Sequence, residues 1–365
     1  MERCIELARK GAGRVAPNPM VGCVIVRQGH IIGEGWHQHY GGPHAEVNAI
    51  RSVADQRQLS EATLYVNLEP CSHFGKTPPC ADLIIEKKIP YVVIGCLDEN
   101  PDVRGKGIQR LIQHGVDVKV GVLDAESRHL NRRFFTYLRE QRPYILLKWA
   151  QSADGFIDRE RENENDARTI VSSPEAHLLV HRWRSEEAVI LVGTNTVIAD
   201  DPQLTVRLID GPNPVRVTFD RRNRIPHTAK ILDGTSATII FNEGAHYHTD
   251  RAEYIPIDFS GDPVRQALEI LHHRKFLSVL VEGGTAILER FLQAGLWDEA
   301  RVFVSPNDFG SGIKAPVFEH KAASEEAVGP DTLYTYYNRK EQGEENAEKN
   351  GEQKKENGEE KNKPL

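Results

Sequence analysis

The sequence predicts an α/β protein built as two layered domains in series. Strand-like apolar runs alternate with helix-like segments from Cys4 to Val120, and again from Tyr144 to Val304, the pattern of strands packed under helices. A chain of 365 residues is too long for one ordinary core and suits two. Between the two alternating regions, a charged helical stretch over Ser127–Glu140 runs into Arg142-Pro143, a natural boundary. The expected division is a first domain over residues 1–142, a second over 143–337 and a tail over 338–365.

In the first region, Cys4–Lys10 reads as a helix, Val21–Arg27 as a buried strand and Gly29 as the turn after it. His44–Ser52 opens a helix, Thr63–Leu68 is a strand, and Cys80–Lys88 is a helix. Tyr91–Gly95, Gly107–His114 and Val116–Val120 read as strand, helix and short strand. In the second region, Tyr144–Trp149, Ala188–Gly193, Val215–Phe219, Ala237–Phe241, Leu277–Val281 and Glu299–Val304 are strands. Pro174–Arg184 and Thr285–Ala294 are helices. There is no internal repeat. The tail is nearly all Glu, Lys, Asn, Gln and Gly. Such a segment has almost nothing to bury against its ordering entropy and is expected to be disordered.

Composition narrows the function. With 39% hydrophobic and 27% charged residues, the chain is of the globular class. A net charge of −7 gives no electrostatic footprint for nucleic acid. No apolar run approaches the roughly 20 residues that span a bilayer, and the N-terminus lacks a basic start followed by an apolar block. These features predict a cytoplasmic protein without membrane or nucleic-acid partners. Five cysteines, an odd number, predict reduced thiols and make metal binding the more natural use than disulfides.

The chemistry starts at His44-Ala45-Glu46, which opens a helix after Gly41-Gly42-Pro43. Pro70-Cys71 follows, then Cys80 nine positions later. One imidazole and two thiolates are standard zinc ligands, and three protein ligands leave a position open for water, whose pKa zinc lowers towards 7. Glu46, two residues past the histidine, can reach that water without taking a metal position and can shuttle its proton. The general zinc-deaminase signature is H-x-E followed by P-C-x-x-C; the longer spacing here is a departure from it. The insertion Ser72–Pro79 is polar, basic and bounded by prolines, and reads as a substrate loop built over the metal. Cys4, Cys23 and Cys96 read as core residues, and His30, His37, His39 and His114 as surface residues.

Taken together, Asn18-Pro19-Met20-Val21-Gly22, His44-Ala45-Glu46 and the block Leu68–Cys80 resemble the bifunctional deaminase–reductases of riboflavin biosynthesis, the RibD/RibG type. The resemblance covers about residues 1–337; the family's first helix usually begins several residues ahead of the position of Met1. It implies a cytidine-deaminase-like three-layer α/β/α domain followed by a dihydrofolate-reductase-like α/β domain. The implied first reaction is deamination of a diamino-phosphoribosylamino-pyrimidinone to the uracil, with zinc as cofactor. Matching positions make Asn18, His73, Lys76, Asp98 and Asn100 expected substrate contacts. Lys76 offers a cation to a phosphate, while Asp98 and Asn100 fit a turn equally well.

The second region has no G-x-G-x-x-G. It has Val279–Thr285, an apolar strand entering two glycines and a helix, where backbone N–H groups can meet a phosphate. With Ser152–Gly155 and Gly193–Pro202, this Glu282-Gly283-Gly284 element resembles the reductase half of the same family. The implied reaction is reduction of the ribosyl group to ribityl, with NADPH as hydride donor. By position, Ala150, Ile170, Thr196, Asp200 and Gly284 are the expected cofactor contacts, and Arg184, Leu204, Arg207 and Glu282 the expected substrate contacts. Lys148 is a candidate for orienting substrate. Arg221 and Arg222 are candidates for the 2'-phosphate. Arg168 stands where the family usually has a small polar residue, and Asp158–Ala167 reads as a loop over the site. Partners are then the small-molecule substrate and, in a homo-oligomer, further copies of the chain. A tRNA deaminase and a zinc-stabilised regulator are the competing readings; the first lacks a basic surface, and the second has no use for Glu46.

Overall fold

The computed structural model describes residues 1–72, 78–100, 103–160 and 169–338. His73, Lys76, Arg168, most of the Asp158–Ala167 loop and the tail beyond Asn338 lie outside the described residues.

The N-terminal part has α1 (Glu2–Arg9), β1 (Gly22–Arg27), β2 (His30–Trp36), α2 (Ala45–Ser52), β3 (Thr63–Leu68), α3 (Cys80–Glu86), β4 (Tyr91–Cys96), α4 (Lys106–Gln113), β5 (Asp117–Val120), α5 (Asp124–Leu130) and α6 (Arg132–Glu140). Its five strands run in the order β2-β1-β3-β4-β5. β1 is antiparallel to both neighbours, while β3, β4 and β5 are parallel. Alternate residues of β1 serve opposite faces. Cys23 and Ile25 pack with Ala49, Ile84 and Leu111 under α2, α3 and α4, and Val24 packs with Cys4 and Leu7 of α1.

β2 was not legible in the sequence. Its buried positions are Gly33 and Gly35, so it shows no apolar alternation. The glycines are there because α2 lies almost against the strand: a Cβ on Gly35 would come within 2.3 Å of the Ala49 nitrogen. The stretch Ser127–Glu140 is not one helix either. It breaks at Asn131, whose buried amide accepts from the Met20 N–H at 2.8 Å and donates to the Met20 carbonyl at 2.9 Å.

The C-terminal part has β6 (Tyr144–Gln151), β7 (Phe156–Asp158), α7 (Pro174–Glu186), β8 (Val189–Val192), α8 (Thr194–Asp200), β9 (Val215–Phe219), β10 (Thr238–Asn242), β11 (Tyr247–His248), β12 (Glu253–Pro256), α9 (Pro263–His273), β13 (Ser278–Gly283), α10 (Thr285–Gln293), β14 (Glu299–Val304), β15 (Ile313–Lys314), β16 (Ser324–Val328) and β17 (Asp331–Tyr337). Ten strands form one sheet in the order β11-β12-β10-β9-β8-β13-β6-β14-β17-β16. From β12 to β14 every pairing is parallel; β11 and the β17–β16 hairpin close the edges in antiparallel fashion. The central strands are covered on both faces, so β8 (VILV) is buried throughout, as strands of a parallel sheet are. Helices α8 and α9 and strands β7, β11, β12, β15, β16 and β17 were not legible in the sequence. The signals for α9 were present: Asp262 caps it by accepting from the Arg265 N–H, and Pro263 stands in its first turn, where its missing N–H costs nothing.

The two parts are held together by buried ion pairs. Arg133 of α6 pairs with Glu187, and Arg132 reaches Glu299 at 3.0 Å. Arg142 grips Asp298 with two bonds of 2.6 Å. Burial opposes the charge on Glu187, but Arg133 holds its carboxyl below the usual carboxylate range.

Candidate active sites

Two helix starts and one strand end build the first site. Pro43 delivers His44 to the N-cap position of α2, with extended backbone (φ −69°, ψ 164°). β3 ends at Leu68, and Glu69-Pro70 lead directly to Cys71. Pro79 turns the chain into α3, whose first residue is Cys80. The Cys80 N–H donates to the Cys71 sulfur at 3.3 Å, and the Ala81 N–H to the Cys71 carbonyl at 3.1 Å. These bonds fix the two cysteines against each other.

His44 Nδ1 lies 3.6 Å from Cys71 Sγ and 3.3 Å from Cys80 Sγ, and the three ligand atoms all lie within 4.8 Å of one another. With Zn–N near 2.0–2.1 Å and Zn–S near 2.3 Å, tetrahedral zinc separates nitrogen from sulfur by about 3.6 Å. The donor set therefore fits one zinc ion. Glu46 is 3% exposed. Burial pushes its carboxyl up, against the charge of His44.

His37, read from the sequence as a surface residue, is 3% exposed. Its Nδ1 meets the Pro43 carbonyl at 3.0 Å, so Nδ1 donates and Nε2 is left to accept from the Asn18 amide at 3.1 Å. Its ring stands edge-on to His44, with centroids 5.6 Å apart. Asn18 is thus tied to the metal-site wall through a residue whose strand, β2, gave no sequence signal.

Asp98 and Asn100 lie past the end of β4, beside the end of β3. Asp98 accepts from the Asn100 N–H at 2.8 Å, the turn that Asn-Pro suggested. The buried Glu69 carboxylate anchors this segment, accepting backbone N–H bonds from Asp98 (3.3 Å), Gly105 (3.0 Å) and Gly107 (3.1 Å). Only its place in the Leu68–Cys80 block hinted at such a role.

The second site is a cavity of about 1530 Å³ at the carboxyl ends of β9, β8, β13 and β6, where open α/β sheets bind ligands. Among its lining residues are Ala150, Ile170, Thr196, Asp200 and Gly284, and also Arg184, Leu204, Arg207 and Glu282. Lys148, Arg221 and Arg222 line it too. Residues drawn from six separate segments therefore meet at one opening. The Thr196 hydroxyl accepts from the Gly284 N–H at 3.0 Å, joining the start of α8 to the glycine turn before α10.

Glu282 is the electrostatic centre of this cavity. Arg184 binds it through two bonds of 2.7 and 2.8 Å, and Lys148 Nζ lies at 3.2 Å. Burial disfavours its charge, yet Arg184 and Lys148 hold its carboxyl well below the usual range. Two cations against one carboxylate leave a net positive wall, suited to an anionic ligand. Arg221 is occupied by Glu243, with two bonds of 2.9 Å, whereas Arg222 makes no hydrogen bond to any described residue.

His181 was not singled out from the sequence. It sits on α7, 5% exposed, and lines the cavity. Its Nδ1 accepts from the Arg207 N–H at 2.9 Å, so the neutral ring carries its proton on Nε2. Burial, then Arg184 and Arg207, lower its pKa to about 4.

A zinc-type deaminase centre on a cytidine-deaminase-like sheet, fused to a dihydrofolate-reductase-like domain with a dinucleotide-sized cavity, defines a bifunctional deaminase–reductase. Comparison with known proteins agrees for both halves. Residues 1–96 match the cytidine and deoxycytidylate deaminase zinc-binding region, and residues 143–333 match the RibD C-terminal domain. Riboflavin biosynthesis protein RibD of Aquifex aeolicus is 40% identical over 86% of this chain and 88% of its own length; that of Escherichia coli is 36% identical over 91% and 96%. A solved diaminohydroxyphosphoribosylaminopyrimidine deaminase/5-amino-6-(5-phosphoribosylamino)uracil reductase from Thermotoga maritima is 38% identical, with a TM-score of 0.85, covering 93% of this chain and 97% of that one. RibD of Acinetobacter baumannii superposes with a TM-score of 0.83 at 35% identity, over 92% and 97%. The chain belongs to the RibD family of riboflavin biosynthesis proteins, whose members join a zinc-binding deaminase domain to an NADPH-dependent reductase domain. No helix among the described residues is long and apolar enough to cross a membrane.

Proposed function

We propose that the first site hydrolyses 2,5-diamino-6-(5-phosphoribosylamino)pyrimidin-4(3H)-one to 5-amino-6-(5-phosphoribosylamino)uracil, and that the second site reduces the ribosyl group of that product to ribityl. The single observation that carries the first step is the His44, Cys71 and Cys80 donor set, spaced for one ion with a buried carboxylate beside it. Bound zinc supplies an activated water at neutral pH. Glu46 carries the water's two protons in turn, the first to the ring nitrogen as the oxygen adds to C2 and the second to the departing amine, so the C2–N bond breaks, ammonia leaves and the C2 carbonyl forms. Asn18, His73, Lys76, Asp98 and Asn100 hold the ring and its phosphoribosyl group.

For the second step, NADPH supplies the hydride at the sugar C1. The C1–O ring bond breaks and the ring oxygen takes a proton, leaving the ribityl chain. Ala150, Ile170, Thr196, Asp200 and Gly284 hold the dinucleotide. Arg184, Leu204, Arg207 and Glu282 hold the sugar phosphate. A cavity of about 1530 Å³ exceeds the ~300–1,000 Å³ typical of one small-ligand site, leaving room for both molecules. The division of labour falls at residues 142/143, with the tail from residue 338 outside both activities. We place the enzyme in the cytoplasm, where its five free cysteines stay reduced, as a homo-oligomer without nucleic-acid or membrane partners.

Glu46→Gln tests the mechanism. The variant is expected to keep its zinc and its NADPH oxidation with the deaminated product, while deamination falls by at least about 100-fold, the usual scale for losing a general acid–base. Deamination surviving in a zinc-loaded variant would sink the assignment.

A further inference from the structure

A second metal-ligating face lies at the outer edge of the ten-stranded sheet, remote in the fold from the His44 centre. β11 is the terminal strand there. His246 immediately precedes β11 and His248 lies on it, and their rings come together on one side of the strand, with centroids 5.0 Å apart. The hairpin register sets His248 opposite Glu253 of β12, bringing the carboxylate to that same face. Tyr247 and Tyr254, the next pair in the register, stack at 4.2 Å with an interplanar angle of 9°, which fixes the pairing.

The distances suit a shared ion. His246 Nε2 lies 3.0 Å from Glu253 Oε1, and His248 Nε2 lies 3.7 Å from the same oxygen. The ring centroids are 5.0 Å apart, and one ligand atom from each residue falls within 4.8 Å of the others. Metal–nitrogen and metal–oxygen bonds of about 2.1 Å separate neighbouring ligand atoms by about 3.0–3.4 Å, so small side-chain rotations close the set. Arg274 grips both oxygens of Glu253 at 2.5 and 2.6 Å. It orients the carboxylate, as an outer partner orients a ligating carboxylate in metal sites, and each oxygen keeps a second lone pair for an ion. Its positive charge also opposes a dication. Both histidines are exposed, so the remaining coordination positions face water.

We propose that His246, His248 and Glu253 form a second metal site, which takes one divalent transition ion such as zinc, nickel or copper. Two imidazoles select these ions over magnesium and calcium. Three protein ligands, an open face and the adjacent guanidinium make the site exchangeable, in contrast to the thiolate-bound zinc of the deaminase centre.

The test uses the full-length holoenzyme, stripped of loosely held metal on a mild chelating resin so that one zinc per chain remains. Calorimetric titration with Zn²⁺ or Ni²⁺ is expected to show one further equivalent, and Mg²⁺ none. The His246→Ala/His248→Ala double variant is expected to lose that equivalent, and Glu253→Gln to weaken it by tenfold or more. Deaminase and reductase rates should stay within twofold in both. Cobalt bound as the second equivalent is expected to lack the thiolate charge-transfer band that substitution at Cys71 and Cys80 would give. Absence of a second equivalent in the intact chain, its persistence in the double variant or a thiolate band would each overturn the proposal.

Discussion

Gly13 lies directly against the carbonyl of Ser185. A Cβ on Gly13 would sit 1.9 Å from the Ser185 oxygen, and the backbone there has φ +71°. Gly13 lies a short way ahead of Asn18, a proposed contact of the deaminase site, and Ser185 follows Arg184, a proposed contact of the reductase site. The N-terminal and C-terminal parts therefore meet at a backbone contact that only glycine permits. Gly13→Ala combines a left-handed conformation with a steric clash and is expected to lower unfolding stability by about 1–3 kcal/mol, read from the denaturant midpoint. An unchanged midpoint would mean that this contact relaxes without cost.

Glu282 pairs with both Arg184 and Lys148 inside the cavity. Glu282→Gln leaves two buried cations without their carboxylate, and breaking such a set costs about 3–5 kcal/mol. The variant is expected to lose NADPH oxidation while its zinc content and deaminase rate persist. Loss of both activities together would show that the damage spreads beyond the second domain.

Arg221 and Arg222 separate as candidates for the 2'-phosphate of NADPH. Glu243 already occupies Arg221, so Arg222 is the better candidate. Arg222→Ala is expected to weaken NADPH binding by about 10- to 100-fold, the worth of a charge-assisted bond, and to leave NADH binding unchanged. Arg221→Ala should change either by less than threefold. Equilibrium titration by nucleotide fluorescence reads both, and equal losses for NADPH and NADH in Arg222→Ala would count against the assignment.

His181 supplies a pH dependence. Its pKa falls from 6.5 to about 4 on folding, through burial first and then Arg184 and Arg207. Between those values the unfolded chain binds a proton that the folded chain refuses, so stability declines as pH falls from about 6.5 towards 4 and is flat above. His129, lowered to about 4 by burial and Arg132, acts in the same window. Thermal midpoints measured across it should show His181→Gln reducing the slope, because the glutamine oxygen can still accept the Arg207 N–H but does not titrate. An unaltered slope would place the proton uptake elsewhere.

The candidate metal donors, the candidate acid–base Glu46 and most strands were legible in the sequence because their signals are local. A histidine before a helix, a cysteine after a strand and an apolar run between turns each announce themselves within a few residues. Three kinds of feature were not legible. β2 hides its burial in glycines. The break at Asn131 depends on Met20, far away in the chain. His37 looked like a surface residue because nothing nearby reveals the Asn18 and Pro43 contacts that satisfy it.

The sequence by itself determined the chemistry: which side chains can ligate zinc, which carboxylate can move a proton, and which glycine turn can receive a phosphate. Only the tertiary structure decided the environment of those groups. It closed His37 onto Asn18, set Glu69 under the Asp98–Asn100 turn, balanced Glu282 between two cations and pressed Gly13 against Ser185. Ligand identity is a property of residue type and spacing, which sequence carries directly. Burial, charge balance and hydrogen-bond satisfaction depend on partners distant along the chain, which become neighbours only when the sheets are packed.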